Sequence, residues 1–497
     1  GGPPHSWEIW PSADRILEHF QVFAEDFGII AHCRFNTNVE SMQIFGSAEP
    51  TDVDRFYKLK CLSRRYDRKQ TQGGGALAHQ TGGAKASTNA KGTYEYEGDV
   101  IEGSKPYFTN VCCVHIWPGN LNFPRPVYYP GEDTFGGLID FGVEMRFDYS
   151  NVTGKTVIIH GHGAFTMENI RTCLEHSMKK IWLLCRKRNL TCPRMVSWFI
   201  NQSNPPAPAA MCLDMLKTAY KYIDYDPWNM HSVNANTNKT FATVIQKTRF
   251  GIGDVYFLAA AYGLMEIVVG EVKRAQPGAL VLDSGRRVEA DCIIKCTGCL
   301  GDWKVDRLLQ IQSTVGYFIN GDPRRTVFAD PDGIYASNFG LTTGGPGFPT
   351  VAAAITHFVN HPSEFARLEE AGIISMLPVQ RAGHPNEEFP AYMYGARHAT
   401  SSGVVLAGAT PYLVVRFGNS DGYKNYIQHL VTPLDRVEKE AREDWEQYER
   451  HFRKSGMVPA DAPTVPYLYT KDFIKDRLVA LADHAAKQAA VAEERRG

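Results

Sequence analysis

The residues with the clearest chemical potential are Gly161-His162-Gly163-Ala164-Phe165-Thr166 and, further along, Arg186-Lys187-Arg188. In a strand–turn–helix setting the first glycine permits a tight turn. The second lets backbone approach a pyrophosphate, and the helix start offers unpaired N–H groups and a positive dipole end. A lone G-x-G carries little weight, so the flanking pattern decides. Lys155–Gly161 holds the β-branched run Val157-Ile158-Ile159, Thr166–Met178 reads as a helix, and Lys180–Cys185 as a second strand. That is a βαβ unit. An acidic residue at the end of the second strand would bind a ribose 2′-hydroxyl, whereas guanidinium groups match a 2′-phosphate. The basic triplet after Leu183-Leu184-Cys185 therefore favours NADPH over NADH. The third motif position is Thr166 rather than Gly or Ala. The bland alternatives are a strand-to-helix connection without a ligand and a solvated basic loop.

Other candidates carry less. His160 and His162 flank the turn and are placed to contact phosphate, or else are solvated or capping residues. Cys296 and Cys299 form a C-x-x-C whose spacing suits a redox dithiol, with incidental packing as the competing reading. Arg249–Asp254 reads as a loop and helix cap, because no strand precedes it. No Ser/His/Asp order and no metal-ligand spacing stands out.

These residues need elements to hold them. With 497 residues the chain has room for several cores, and its net charge of −1 gives no global field toward nucleic acid or an anionic membrane. The eleven cysteines are scattered, several within apolar runs, which suits a reducing compartment and hence the cytoplasm. No signal peptide is expected, since Gly1-Gly2-Pro3-Pro4 leads into an amphipathic helix, Ala13–Phe27. The absence of an initial Met suggests a fragment or processed product. The longest apolar stretch, Val255–Gly270, is interrupted by Glu266 and reads as a buried helix and then a strand, not a membrane span.

Strands are expected within Ile29–Asn36, over Phe56–Arg65, Thr93–Asp99 and Thr109–Ile116, and, buried, over Asp291–Thr297. Ala279–Leu282 and Arg286–Glu289 form a hairpin around Asp283-Ser284-Gly285. Pro193–Tyr222 reads as helical and Gln70–Lys91 as a flexible surface insertion. From about Glu364 the pattern is mostly helical, above all over Leu434–Lys454 and Asp472–Arg496.

Taken in order, several landmarks resemble the flavin-containing and Baeyer–Villiger monooxygenase superfamily over most of residues 1–365. They are Arg34–Val39, then Gly119 with Pro124, Pro126, Pro130-Gly131, Phe135 and Gly137. After the glycine turn come Ile293-Ile294-Lys295-Cys296-Thr297-Gly298, and then Gly333–Asn338 with Gly344-Gly345-Pro346. The resemblance implies an α/β fold of two Rossmann-like dinucleotide-binding domains, the NADPH domain inserted in the FAD domain, with a helical C-terminal extension. The expected division is 1–150 for the first part of the FAD domain, 151–290 for the NADPH domain, 291–365 for the FAD return segment and 366–497 for the extension. It adds Thr297 and Gly298 to the cofactor-binding residues.

It further implies an FAD- and NADPH-dependent monooxygenase, with hydride transfer to flavin and oxygen activation as a flavin C4a-peroxide. Its partners are a small-molecule substrate and molecular oxygen, in a homo-oligomer without a transmembrane segment or nucleic acid. The sequence also departs from the family pattern. No GxGxxG precedes Gly161, Trp117-Pro118-Gly119 stands where the family has ATG, and Phe141 replaces the histidine of FxGxxxH. Those departures support the alternative of a non-catalytic NADP(H)-binding or scaffold protein, and the cysteine pair a third, a flavin-dependent reductase or thiol oxidase.

Overall fold

The computed structural model describes residues 13–45, 56–65, 87–88, 94–95, 99–112, 114–116, 123–143, 147–202, 207–245, 251–300, 317–319, 327–329, 375–381, 384–394 and 434–494. After helix α1 (Ala13–Asp26) come strands β1 (Thr37–Phe45), β2 (Phe56–Arg65) and β3 (Tyr107–Val111), antiparallel with β2 in the middle. The strand expected within Ile29–Asn36 starts later: Ile30–His32 is a 3-10 turn, and Asn36 adopts φ 52 just before β1. Asn tolerates that left-handed geometry, so the turn ends there. Of the strand expected over Thr93–Asp99, the described residues Tyr94–Glu95 and Asp99 are in strands, the latter within Asp99–Val100. Apart from Ser87–Thr88, the insertion Gln70–Lys91 lies outside the described residues.

A second unit runs from β4 (Leu138–Phe141) through β5 (Thr156–His160), α2 (Ala164–Glu175), β6 (Lys180–Cys185), α3 (Arg194–Gln202), α4 (Ala209–Tyr220) and α5 (Val255–Ala261). It continues with β7 (Met265–Val269), β8 (Val272–Gln276), β9 (Ala279–Leu282), β10 (Arg287–Glu289) and β11 (Cys292–Lys295). Five of these strands make one wholly parallel sheet in the order β7-β6-β5-β11-β4. Parallel sheets need both faces covered, which is why β5, β6 and β11 carry the apolar runs Val157-Ile158-Ile159, Ile181–Cys185 and Cys292-Ile293-Ile294. Val157, Ile159, Ile181, Leu183 and Ile294 enter the core beneath the helices. Ile158, Leu184, Val268 and Ile293 face the other way, onto Leu280, Leu282 and Val288 of the antiparallel β8-β9-β10 sheet. The expected hairpin around Asp283-Ser284-Gly285 is the β9–β10 pair.

The C-terminal helices α6 (Leu434–Lys454) and α7 (Lys471–Glu494) pack into the helix-side core of this same unit. Val437, Ala441, Trp445, Tyr448 and Phe452 recur at helical spacing and are all buried, while Arg436–Glu440 and Arg450–Glu446 pair on the outer face. Val437 and Phe452 each contribute roughly 1.5–3 kcal/mol through burial. Arg194 of α3 reaches Asp444 at 3.2 Å, and His451 Nε2 lies 2.9 Å from the Leu174 carbonyl at the end of α2.

The mixed α/β class and the helical C-terminal stretch agree with expectation. One part does not: Ser375–Arg381 and His384–Tyr394 form an antiparallel hairpin, not helices, and join a sheet that includes Val114–Ile116. In its register Val379 pairs with Phe389 and Met376 with Tyr392. Among the described residues no helix is long and apolar enough to cross a membrane.

Candidate dinucleotide-binding site

The sheet order puts β5 between β6, which follows it in the chain, and β11, which comes much later. This is a topological switch point, and in open α/β sheets the crevice beyond the strand ends there is where ligands bind. Gly161-His162-Gly163 stands at that spot. The turn is held from both sides: Gly161 N–H donates to the Leu184 carbonyl at 2.8 Å, and Cys296 N–H to the His160 carbonyl at 2.7 Å.

The two glycines serve different ends. Gly161 sits at φ +136, and a Cβ there would lie 2.1 Å from the Cys296 carbonyl oxygen, so the fold itself requires glycine. Gly163 has extended backbone, φ −119, and a Cβ there would meet nothing within 4 Å. Nothing in the described fold requires glycine there, and the space above it is open. Ala164 and Phe165 follow in the first turn of α2, where amides have no acceptor within the helix. Thr166, fully buried, accepts the Gly163 N–H with its hydroxyl at 3.3 Å, so its departure from Gly or Ala supplies a cap for the turn. Below it, Asn169 donates to the Phe165 and Gly142 carbonyls at 2.7 and 2.8 Å, tying α2 to the end of β4.

Of the basic triplet after β6, Arg186 and Lys187 are exposed and have no hydrogen-bond or ion-pair partner among the described residues. Arg188 lies instead over the Tyr225 ring, 4.3 Å from its centroid. The His162 imidazole turns inward and is 6% exposed. Its Nδ1 accepts the Asn189 backbone N–H at 3.0 Å, which assigns the proton to Nε2, 3.2 Å from the Tyr256 hydroxyl. Burial, with Arg188 nearby, pushes its pKa down to about 4. His160 is likewise engaged: its Nδ1 is 2.6 Å from the Tyr129 hydroxyl, and burial with Lys295 and Arg186 lowers its pKa to about 4.

Thr297 and Gly298 lead out of β11 along the crossover from the first part of the chain. Arg125 N–H donates to the Gly298 carbonyl at 2.8 Å, and Thr297 Oγ1 to the Arg125 carbonyl at 3.4 Å. Cys296 is buried; the dithiol reading depends on the Cys299 side chain, which lies outside the described residues. Asp254 stands at the N-cap of α5, as expected, but its carboxylate caps no amide of that helix and instead accepts the Arg194 N–H at the start of α3, at 3.3 Å. Wholly buried, its carboxyl is pushed up to about 6. Gly119, Gly333–Asn338 and 344–346 lie outside the described residues.

Sequence reasoning missed Lys295, whose side chain is 2% exposed and whose Nζ donates to both Glu132 carboxylate oxygens and the Val127 carbonyl, each at 2.7 Å. The Tyr129 and Phe141 rings stand 4.8 and 5.4 Å from the ammonium. Burial holds its pKa below the usual amine range, with Glu132 opposing. A charged residue inside Ile293-Ile294-Lys295-Cys296 was the available signal.

No protein-family model and no curated protein matches the chain. Among solved structures it is similar to an oxidized steroid monooxygenase bound to NADP, at 15% identity and TM-score 0.36 over 61% of this chain and 62% of that one. It is also similar to the polycyclic ketone monooxygenase from Thermothelomyces thermophila (12% identity, TM-score 0.41, 96% of this chain and 77% of that one). A third is OTEMO in complex with FAD and NADP, at 13% identity and TM-score 0.40, over 78% of this chain and 82% of that one. The chain thus spans less than two thirds of the steroid monooxygenase. At these values the likeness by itself carries no functional argument.

Proposed function

We propose that this chain is an NADPH-dependent oxidoreductase of the flavin monooxygenase kind, and that the switch-point turn of its parallel sheet holds NADP(H). One observation carries the reading: open space above Gly163 faces unpaired helix amides, with Arg186 and Lys187 unpartnered at the end of the next strand. The Ala164 and Phe165 amides and the positive end of α2 bind the pyrophosphate. Arg186 and Lys187 take the 2′-phosphate through charge-assisted hydrogen bonds. Arg188, committed to Tyr225, stiffens the loop that carries them. The flavin half of the proposal rests on the order of the sequence motifs: FAD, when bound, supplies hydride acceptance and oxygen activation.

A second reading, NADP(H) binding without oxygen chemistry, is favoured by Phe141, a buried phenyl ring where the family pattern has histidine. Titration of the full-length protein with NADPH and NADH tests the shared part. NADPH binds at least about tenfold more tightly, and Arg186→Ala removes the preference. Binding of neither nucleotide refutes both readings. NADPH oxidation after reconstitution with FAD then separates the two: turnover supports the oxidoreductase, and its absence supports the binding protein.

A further inference from the structure

The glycine turn and the basic loop belong to different strand ends, yet one buried side chain joins them. His162 is the middle residue of the turn, and Asn189 directly follows the basic triplet. Asn189 contributes both of its donors: its backbone N–H goes to His162 Nδ1 at 3.0 Å and its side-chain amide to the His162 carbonyl at 2.7 Å. The other ring nitrogen meets the hydroxyl of Tyr256 at 3.2 Å. Tyr256 is itself 1% exposed and packed edge-on against Phe257 of α5, ring centroids 4.9 Å apart. A ring bonded at both nitrogens and at its own carbonyl has no freedom left.

We infer that His162 is a positioning residue that fixes the spacing between the pyrophosphate subsite at Gly163 and the 2′-phosphate subsite at Arg186–Lys187. The inference rests on the NADP(H) reading above. The imidazole touches neither phosphate and acts through the backbone on each side of it. A small residue in its place would leave the Asn189 N–H without its acceptor, remove one of the Tyr256 hydroxyl's partners, the other being Thr191, and let the loop drift from the turn. When two subsites lie on one rigid body, a ligand carrying both phosphates gains from the second at high effective concentration. A ligand with only one phosphate gains nothing from that rigidity. A residue that merely supports the fold would affect all ligands alike.

The test compares 2′,5′-ADP, which carries both phosphates, with 2′-AMP and 5′-AMP, each by calorimetric titration of the full-length protein. In His162→Phe, which keeps an aromatic ring but removes both polar contacts, the Kd for 2′,5′-ADP rises about tenfold. The Kd for each monophosphate changes by less than about twofold in the same variant. Asn189→Ala, a milder change nearer the surface, gives the same pattern at about threefold. Equal weakening of all three ligands, or of none, overturns the positioning role while leaving the NADP(H) reading intact. If the unaltered protein binds none of the three, the NADP(H) reading falls and this inference with it.

Discussion

The same substitution made two residues apart separates fold from ligand binding. In Gly161→Ala the new methyl would lie 2.1 Å from the Cys296 backbone oxygen, and the residue must hold φ +136. Backbone strain alone costs about 1–3 kcal/mol, and the overlap cannot be relieved without separating β5 from β11, so the total is about 3 kcal/mol or more. In Gly163→Ala the φ of −119 suits any residue and the methyl meets nothing within 4 Å. Alanine caps a helix less well than glycine but restricts the unfolded chain. These effects are each below about 1 kcal/mol and opposite in sign. Its stability therefore stays within roughly 0.5 kcal/mol of the unaltered protein. The methyl does, however, stand where a pyrophosphate would approach the backbone, and NADP+ affinity falls by about tenfold or more. Thermal melts read the first quantity and calorimetric titration with NADP+ the second. If Gly163→Ala melts as low as Gly161→Ala while still binding NADP+ normally, the turn is a strand-to-helix connection and the site lies elsewhere.

Acid should destabilise the protein between about pH 6.5 and pH 4. His160 and His162 both have folded pKa values lowered from 6.5 to about 4, so the unfolded chain binds their protons first and stability drops as pH falls through that window. Asp254, raised from 3.8 to about 6, acts in the opposite sense and offsets part of the loss. The net change is on the order of a few kcal/mol, read from urea melts at pH 7 and pH 4.5; a flat profile refutes the buried neutral histidines.

Glu132→Gln strips the buried Lys295 ammonium of its carboxylate and costs about 3 kcal/mol, and adding Lys295→Met recovers much of it; strictly additive losses in a double-mutant cycle refute the coupling. Trp445→Ala, which empties a 3%-exposed site and loses the indole bond to the Val465 carbonyl, costs about 3–5 kcal/mol. Because α6 shares the core under α2, a loss under 1 kcal/mol in a chemical melt of that variant would show that the helix is a dispensable appendage.

The βαβ unit was legible in the sequence because its signals are local. Val157-Ile158-Ile159, the glycine pair and Lys180–Cys185 each fix a short stretch whose period or turn geometry permits little else, and the observed strands fall within those bounds. The same holds for the β9–β10 hairpin and the two C-terminal helices. Only the tertiary structure decided which side chains of the turn are available to a ligand. His162 and Gly163 are neighbours in one motif, yet one is consumed by Asn189 and Tyr256 and the other opens onto empty space. Those partners come from a different loop and a different helix, and no local pattern encodes a contact between residues 162 and 256. The Lys295–Glu132 pair eluded the sequence for the same reason, since it is set by a partner far away in the chain. The sequence thus specified where the glycine turn forms, while long-range packing determined which of its atoms remain free to meet a ligand.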